Sequence, residues 1–259
     1  MHKGTALITG ASSGIGKELA ERFARDGHDL VLVARSAAKL EELAVSLRQT
    51  YGVNVLISVQ DLAKPEAPRL LEEELRGLGI APDVLVNNAG YGLYGPFLET
   101  DMADELSMID LNVRALTELM KRFVPGMVQR GRGGILNVAS VASFEPGPLM
   151  AVYYGTKAYV LSLTEALENE LCGTGVTVTA LCPGPTATGF GERAQLGASK
   201  LFKSGVMDVA AVAEEGYQGF KRGKTIVVPG LQYKLLTKLV GFLPRKLVTK
   251  IVRQMQERV

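Results

Sequence analysis

Two tyrosines and a lysine stand within one helical turn of each other in Tyr153-Tyr154-Gly155-Thr156-Lys157. A free phenol titrates at about 10 and is a poor base at neutral pH, but a neighbouring cation stabilises the phenolate and lowers that value. Such a phenol can exchange a proton with an oxygen whose charge changes during a reaction. Lys157 lies at i+4 from Tyr153 and at i+3 from Tyr154, and both spacings bring side chains together on a helix. Spacing alone therefore leaves either tyrosine as the partner. Ser140 ends the run Asn137-Val138-Ala139-Ser140, which reads as the carboxyl end of a strand. A hydroxyl there can hydrogen-bond an oxygen and stabilise charge on it. Taken singly, a helix-surface tyrosine, a solvated lysine and a turn serine are the plainer readings.

A second chemical feature is the loop Thr9-Gly10-Ala11-Ser12-Ser13-Gly14-Ile15-Gly16, between a strand-like run and a helical stretch. Its glycines permit a tight turn and close approach of the backbone to an anion, while the helix N-terminus offers free N–H groups and the positive end of the dipole. The loop suits a pyrophosphate. Its position between strand and helix carries more weight than its glycine content, since glycine-rich loops that merely turn the chain are common.

The elements that must position these groups follow from the hydrophobic pattern. Short apolar runs recur at residues 6–9, 30–34, 53–59, 84–86, 135–138, 176–181 and 225–228, separated by stretches of helical period at 16–25, 37–49, 65–78, 102–129 and 152–171. Continuous rather than alternating hydrophobicity means both faces of each strand are covered. The βαβ alternation predicts an α/β fold of Rossmann type, a doubly wound parallel sheet of about seven strands with helices on both faces and a ligand crevice at the strands' carboxyl ends.

Bulk composition bounds the rest. With 259 residues, 47% hydrophobic and 22% charged, the chain can bury a large core, and the absence of a linker, repeat or low-complexity tract makes one domain over 1–259 the simplest organisation. A net charge of +2, from 29 basic and 27 acidic residues, gives no field of the kind that binds nucleic acid. Cys172 and Cys182 cannot make a disulfide framework, and no His/Cys group has metal-ligand spacing, so no metal is expected. A strand-like Thr5-Ala6-Leu7-Ile8 begins almost at once, without a leader pattern, so the expected address is cytoplasmic. No apolar run reaches the roughly 18 residues of a spanning helix.

The loop spacing Gly-x-x-x-Gly-x-Gly, the run Asn87-Asn88-Ala89-Gly90 after the fourth strand and Tyr153-x-x-x-Lys157 occur in this order. Together they resemble the short-chain dehydrogenase/reductase family, in its short single-domain branch, from about residue 4 to residue 229. The resemblance implies hydride transfer between a nicotinamide cofactor and a carbonyl or secondary alcohol. It selects Tyr153 as proton donor and acceptor, because Tyr153 opens the motif and follows Ser140 at the family's interval, and it gives Ser140 the substrate oxygen. Lys157 would also hold the nicotinamide ribose, and Asn112, in Leu111-Asn112-Val113, a water of the proton relay. Gly10, Ser12, Ser13, Gly14, Ile15 and Gly16 would cradle the pyrophosphate. Asp61 and Leu62 would contact the adenine, although an Asp capping the next helix is an equal reading of the sequence. Asn88, Ala89 and Gly90 would line the cofactor groove, Asn87 would tie neighbouring strands, and Pro183, Gly184 and Thr188 would clamp the carboxamide.

At the end of the second strand, where a carboxylate normally takes the ribose hydroxyls, stands Ala34, followed by Arg35 and Ser36. A guanidinium fork and a hydroxyl suit a 2′-phosphate, so NADP(H) is expected, with NAD(H) the second choice; the plain alternative is a solvated arginine. Two other functions fit the fold: epimerisation or dehydration of sugar nucleotides, and non-catalytic dinucleotide sensing. The first belongs to a branch with different glycine spacing and a longer substrate domain, and relatives of the second kind often lose the tyrosine or lysine kept here.

Substrate choice is expected in a lid at 186–207 and in the loop after Gly90. Tyr91, Leu93, Tyr94, Phe97, Phe144, Leu149 and Phe190 could make an apolar pocket for a small carbonyl or alcohol, though such residues are more often plain packing. The stretch 231–259 reads as a helical extension with a basic, amphipathic pattern, broken by Pro244 into two helices. Packing on the body or on a partner subunit is the bland expectation, and rest on a membrane surface the sharper one. The family's usual homodimer or homotetramer would use the helices at 102–129 and 152–171.

Overall fold

The apolar runs of the sequence become the strands of one sheet in a computed structural model that describes residues 3–193 and 205–257. They are β1 (Thr5–Thr9), β2 (Asp29–Ala34), β3 (Val55–Val59), β4 (Val84–Asn87), β5 (Gly133–Val138), β6 (Val176–Leu181) and β7 (Ile226–Val227). The seven strands pair in parallel in the order β3-β2-β1-β4-β5-β6-β7. The order reverses between β1 and β4, so successive crossovers leave in opposite directions there and a crevice opens above the carboxyl ends.

Ten helices accompany the sheet among the described residues: α1 (Gly14–Arg25), α2 (Ala37–Tyr51), α3 (Ala67–Gly77), α4 (Met102–Ile109), α5 (Leu116–Gln129), α6 (Ala151–Glu170), α7 (Phe190–Arg193), α8 (Val209–Lys221), α9 (Leu231–Val240) and α10 (Arg245–Gln256). Neighbouring strand residues point to opposite faces. Ile8, Leu32, Val86 and Leu136 pack under Leu19, Phe23, Leu40, Val212 and Tyr217 of α1, α2 and α8. Leu7, Val31, Leu85 and Ile135 pack under Leu71, Leu75, Leu119, Phe123, Val160 and Leu161 of α3, α5 and α6. Both layers are covered, which is why the strands read as unbroken apolar runs.

The long helix expected at 102–129 is interrupted. Between α4 and α5, Asp110–Ala115 form a π-helical turn. A π turn fits one more residue into the helical circuit, and here it carries the buried Asn112. The side-chain amide donates to the Tyr91 carbonyl at 2.9 Å and to Thr156 Oγ1 at 3.1 Å, and its oxygen accepts from the Tyr91 N–H at 3.1 Å. Apolar periodicity at either end of the stretch hides this irregularity from a pattern-based reading.

Of the expected lid at 186–207, residues 194–204 lie outside the described residues. Its two ends meet in a parallel bridge between Thr186 and Met207. The C-terminal extension folds as two helices, with Pro244 as the N-cap of α10. Each packs one side on the body: Tyr233 joins the core beside α5 and α6, and Val248 and Val252 join a cluster with Tyr91, Met108, Tyr153 and Tyr154. On their other side Leu231, Leu235, Leu239 and Phe242 are exposed, Phe242 by 87%.

Candidate active site

A cleft of about 510 Å³ runs above the carboxyl ends of the strands, and most residues singled out in the sequence line it. At the switch point between β1 and β4, Gly10 and Gly14 take left-handed backbone angles (φ +66° and +55°) that favour glycine. Gly16 has no room for a side chain, since a β-carbon there would strike the Gly10 carbonyl and the Asn88 amide. Asn88 holds the loop closed from β4, donating to the Thr9 carbonyl at 2.9 Å and the Gly10 carbonyl at 3.2 Å. Ser13 caps α1 without a side-chain hydrogen bond, and the first turn carries no acidic residue. The α1 N-terminus thus faces the cleft with its dipole uncompensated by side chains, a setting for an anion. Ser12, Ser13, Gly14 and Ile15 line the cleft there, and Thr188 lies against Gly14.

Toward β2 and β3 the cleft is lined by Ala34, Arg35, Ser36, Asp61 and Leu62. Arg35 is exposed and has no ion-pair partner among the described residues. Lys39, in the first turn of α2, lines the same end and was not singled out in the sequence. Asp61 does not cap α3. Its carboxylate accepts from the Ala63 N–H at 3.2 Å in a local turn, while Glu66 takes the N-cap position.

Toward β4, β5 and β6 the cleft is lined by Asn88, Ala89, Gly90, Ser140, Tyr153, Lys157, Pro183, Gly184 and Thr188. Asn87 lies beneath and donates to Asn137 Oδ1 at 2.9 Å, tying β4 to β5 as its sequence position suggests. Gly184 leaves room for the Tyr233 ring of α9. Gly16 and Asn112 stand behind the cleft wall rather than in it. A β-carbon on Gly90 would lie 3.0 Å from Asn112 Oδ1 and 3.5 Å from Lys157 Nζ, so Asn112 backs the wall next to the lysine.

The structure separates the two tyrosines. Tyr153 lies by Ser140 in the cleft, its ring 5.3 Å from that of Phe190. Ser140 caps a short 3₁₀ turn at Val141–Phe144 and accepts from the Ala142 N–H at 3.1 Å. Tyr154 is tied instead to the C-terminal helix, its hydroxyl accepting from Gln256 Nε2 at 2.7 Å.

One expectation is corrected here. The lysine was expected to bring the phenol down, but burial pushes Tyr153 up to about 12, and the adjacent Ser140 hydroxyl offsets only part of this. Lys157 Nζ is 5.9 Å from the centre of the Tyr153 ring and donates to the Val138 carbonyl at 2.8 Å. Burial lowers the lysine itself to about 8. Taking both groups out of water disfavours both charges, and burial is the largest cause at each. At neutral pH Tyr153 is therefore a neutral phenol. Behind Tyr154, burial raises the Glu145 carboxyl to about 7.

Of the aromatic and apolar residues expected to form a pocket, Tyr91 and Phe190 line the cleft, and Phe97 is 67% exposed. Leu111, Met150, Tyr154 and Gln256 complete its apolar end. Gln256 is brought in by tertiary packing of α10 and has no signal in the sequence. The described residues contain no His/Cys/Asp/Glu cluster fit for a metal and no helix long and apolar enough to cross a membrane.

Comparison with known proteins matches residues 4–198 to the short chain dehydrogenase family. A solved short-chain dehydrogenase from Sphingobium yanoikuyae in complex with NADPH is 38% identical, with a TM-score of 0.83 over 92% of this chain and 94% of that one. The bulky-bulky ketone specific alcohol dehydrogenase of Comamonas testosteroni is 34% identical, with a TM-score of 0.79 over 92% of each chain. An uncharacterized oxidoreductase of Staphylococcus epidermidis is 34% identical over 202 residues, 76% of this chain and 86% of its own length.

Proposed function

The chain belongs to the short-chain dehydrogenase family, and from that premise we propose that it is an NADP(H)-dependent reductase of apolar ketones in which Tyr153 protonates the carbonyl oxygen. What supports the reading above all is the common cleft of Ser140, Tyr153 and Lys157, with the phenol held protonated by burial. A phenol that is neutral at working pH can give its proton to a carbonyl oxygen, the part a reduction requires of it.

The residues fit a dinucleotide laid across the switch point. Gly10, Gly14 and Gly16 let the loop close tightly where β-carbons would strike Asn88, Ala89, Thr188 and the Gly10 carbonyl, and the α1 N-terminus that this loop presents takes the pyrophosphate. Arg35, Ser36 and Lys39 take the 2′-phosphate at the β2 end, where Ala34 removes the usual repelling carboxylate. The NADPH held by the Sphingobium relative accords with this choice over NAD(H). Asp61 and Leu62 contact the adenine, Ala89 and Gly90 the groove between, and Pro183, Gly184 and Thr188 the carboxamide. Bound there, NADPH supplies the hydride.

The remaining work belongs to the chain. Ser140 donates a hydrogen bond to the substrate oxygen, Tyr153 gives it a proton, and Lys157 holds the ribose hydroxyls from its perch on the Val138 carbonyl. Asn112, clamped behind Gly90, holds the water through which Tyr153 is reprotonated. Tyr91, Leu111, Met150 and Phe190 give the substrate end an apolar lining that suits a bulky ketone.

Two surfaces belong to the same reading. The outward face of α6, with Ala151, Gly155, Ala158, Tyr159 and Ser162 exposed, is the self-association face of a homodimer or homotetramer. The outward face of α9 and α10 lies among six basic residues and no acidic one between 231 and 256, a composition suited to an anionic lipid surface.

NADPH absorbance followed with steroid, fatty-acyl, aromatic and sugar carbonyl compounds tests the function. Oxidation of NADPH with bulky apolar ketones is expected. NADPH binding without turnover of any carbonyl would favour the non-catalytic alternative.

A further inference from the structure

The last residue of α10, Gln256, is 1% exposed and lines the catalytic cleft. Its backbone carbonyl accepts from the Tyr94 hydroxyl at 2.8 Å, which fixes the end of the helix. Its side-chain Nε2 donates to the Tyr154 hydroxyl at 2.7 Å. The other half of the amide, Oε1, is buried without a partner among the described residues. Burying an amide oxygen unpaired is unfavourable, and an orphan on a residue that lines a cleft can be completed by a group that enters the cleft.

Tyr154 complements this orphan. Its hydroxyl oxygen is engaged by Gln256, but no acceptor among the described residues takes its proton. Burial, and then Glu145, push the phenol well above its ordinary value, so it keeps that proton. The pair thus presents one free acceptor, Gln256 Oε1, and one free donor, Tyr154 O–H. A group that both gives and takes a hydrogen bond matches them, and a hydroxyl is the simplest such group. A carbonyl or ether oxygen would satisfy Tyr154 and leave Oε1 unpaired.

The subsite lies in the same cleft as the proton donor. The rings of Tyr153 and Tyr154 are 6.0 Å apart centre to centre, at 78°. Met150, Leu111 and Phe190 supply apolar surface in the same cleft.

Resting on the ketone-reductase reading, we infer that Gln256 and Tyr154 form a hydroxyl-recognising subsite. The substrate class is accordingly an apolar ketone that carries a second, distal hydroxyl. The hydroxyl donates to Gln256 Oε1 and accepts from Tyr154, while the ketone oxygen sits on Ser140 and Tyr153. No covalent change occurs at the distal hydroxyl.

The test uses a homologous series of ω-hydroxyketones, the parent ketones of the same length and the corresponding methyl ethers, followed by NADPH absorbance with the full-length protein. At one chain length the hydroxyketone is expected to exceed both its parent and its ether in kcat/KM by about tenfold, carried by KM, as one well-made hydrogen bond allows. Gln256→Leu is expected to lower that hydroxy-to-parent ratio about tenfold. Tyr154→Phe, which removes the donor, should lower it too and serves if Gln256→Leu does not fold. The subsite is refuted if wild-type protein shows no hydroxyl preference at any length, if the ether is taken as well as the alcohol, or if both variants leave the ratio unchanged. Parent ketones turned over without such a preference would sink only the subsite, whereas no turnover of any ketone would sink the function beneath it.

Discussion

Replacing Lys157 with methionine should destroy activity and stabilise the fold. Methionine keeps the length and apolar stem of the side chain and removes a cation that burial disfavours. Lys157 is lowered from its ordinary 10.5 to about 8, and at about 1.4 kcal/mol per pH unit the charged form is disfavoured by about 3 kcal/mol. The hydrogen bond from Nζ to the Val138 carbonyl is lost in exchange, at about 1 kcal/mol. A net gain of about 2 kcal/mol remains, or roughly 4–8 °C in Tm for a domain of this size.

The sign can be checked by pH. Because the folded chain holds Lys157 below its unfolded value, the penalty is complete below about 8, fades as pH rises and is gone above 10.5. Urea unfolding of wild type and Lys157→Met at pH 7 and at pH 10.5, followed by circular dichroism, should show a gain that shrinks with pH. A variant no more stable than wild type at pH 7, or a gain undiminished at pH 10.5, would refute the reasoning.

Three further outcomes follow from the site and its surroundings. Arg35→Ala should raise the KM for NADPH about tenfold or more and leave that for NADH within about twofold, as loss of a charge-assisted contact to a phosphate requires; equal effects on both would remove the 2′-phosphate assignment. Gly16→Ala places a β-carbon against the Gly10 carbonyl and the Asn88 amide, so NADPH affinity by fluorescence titration should fall by about tenfold or more, and wild-type affinity would mean that the loop tolerates the clash. The exposed face of α9 and α10 should carry the protein down with vesicles containing phosphatidylserine, releasing it at high salt and failing to do so after Phe242→Asp; full recovery of wild-type protein in the supernatant would remove the lipid contact.

The parts of this architecture that depend on local chemistry are visible in the sequence. Strands covered on both faces are apolar along most of their length, so all seven can be read. The glycine loop announces itself because only glycine fits Gly10, Gly14 and Gly16. Pro244, with no N–H to give, cannot continue a helix and stands at the N-cap of α10. What depends on tertiary placement is not visible. The π turn that carries Asn112 is set by its bonds to Tyr91 and Thr156, which no period reveals. The tyrosine motif suggests a lowered phenol, but burial, a property of the folded whole, moves Tyr153 the other way. Gln256 reaches Tyr154 across 102 residues of sequence, and nothing at either position points to the other.

The central claim is that Tyr153, rather than the adjacent Tyr154, gives the proton. Steady-state reduction of a ketone without a distal hydroxyl, measured for Tyr153→Phe and Tyr154→Phe beside NADPH titrations of each, tests it most directly. Tyr153→Phe should bind NADPH as wild type does and lose well over about a hundredfold in kcat, the contribution general acid catalysis typically makes, while Tyr154→Phe keeps at least about a tenth of it. A loss of tenfold or less for Tyr153→Phe, or a larger loss for Tyr154→Phe, would contradict the account.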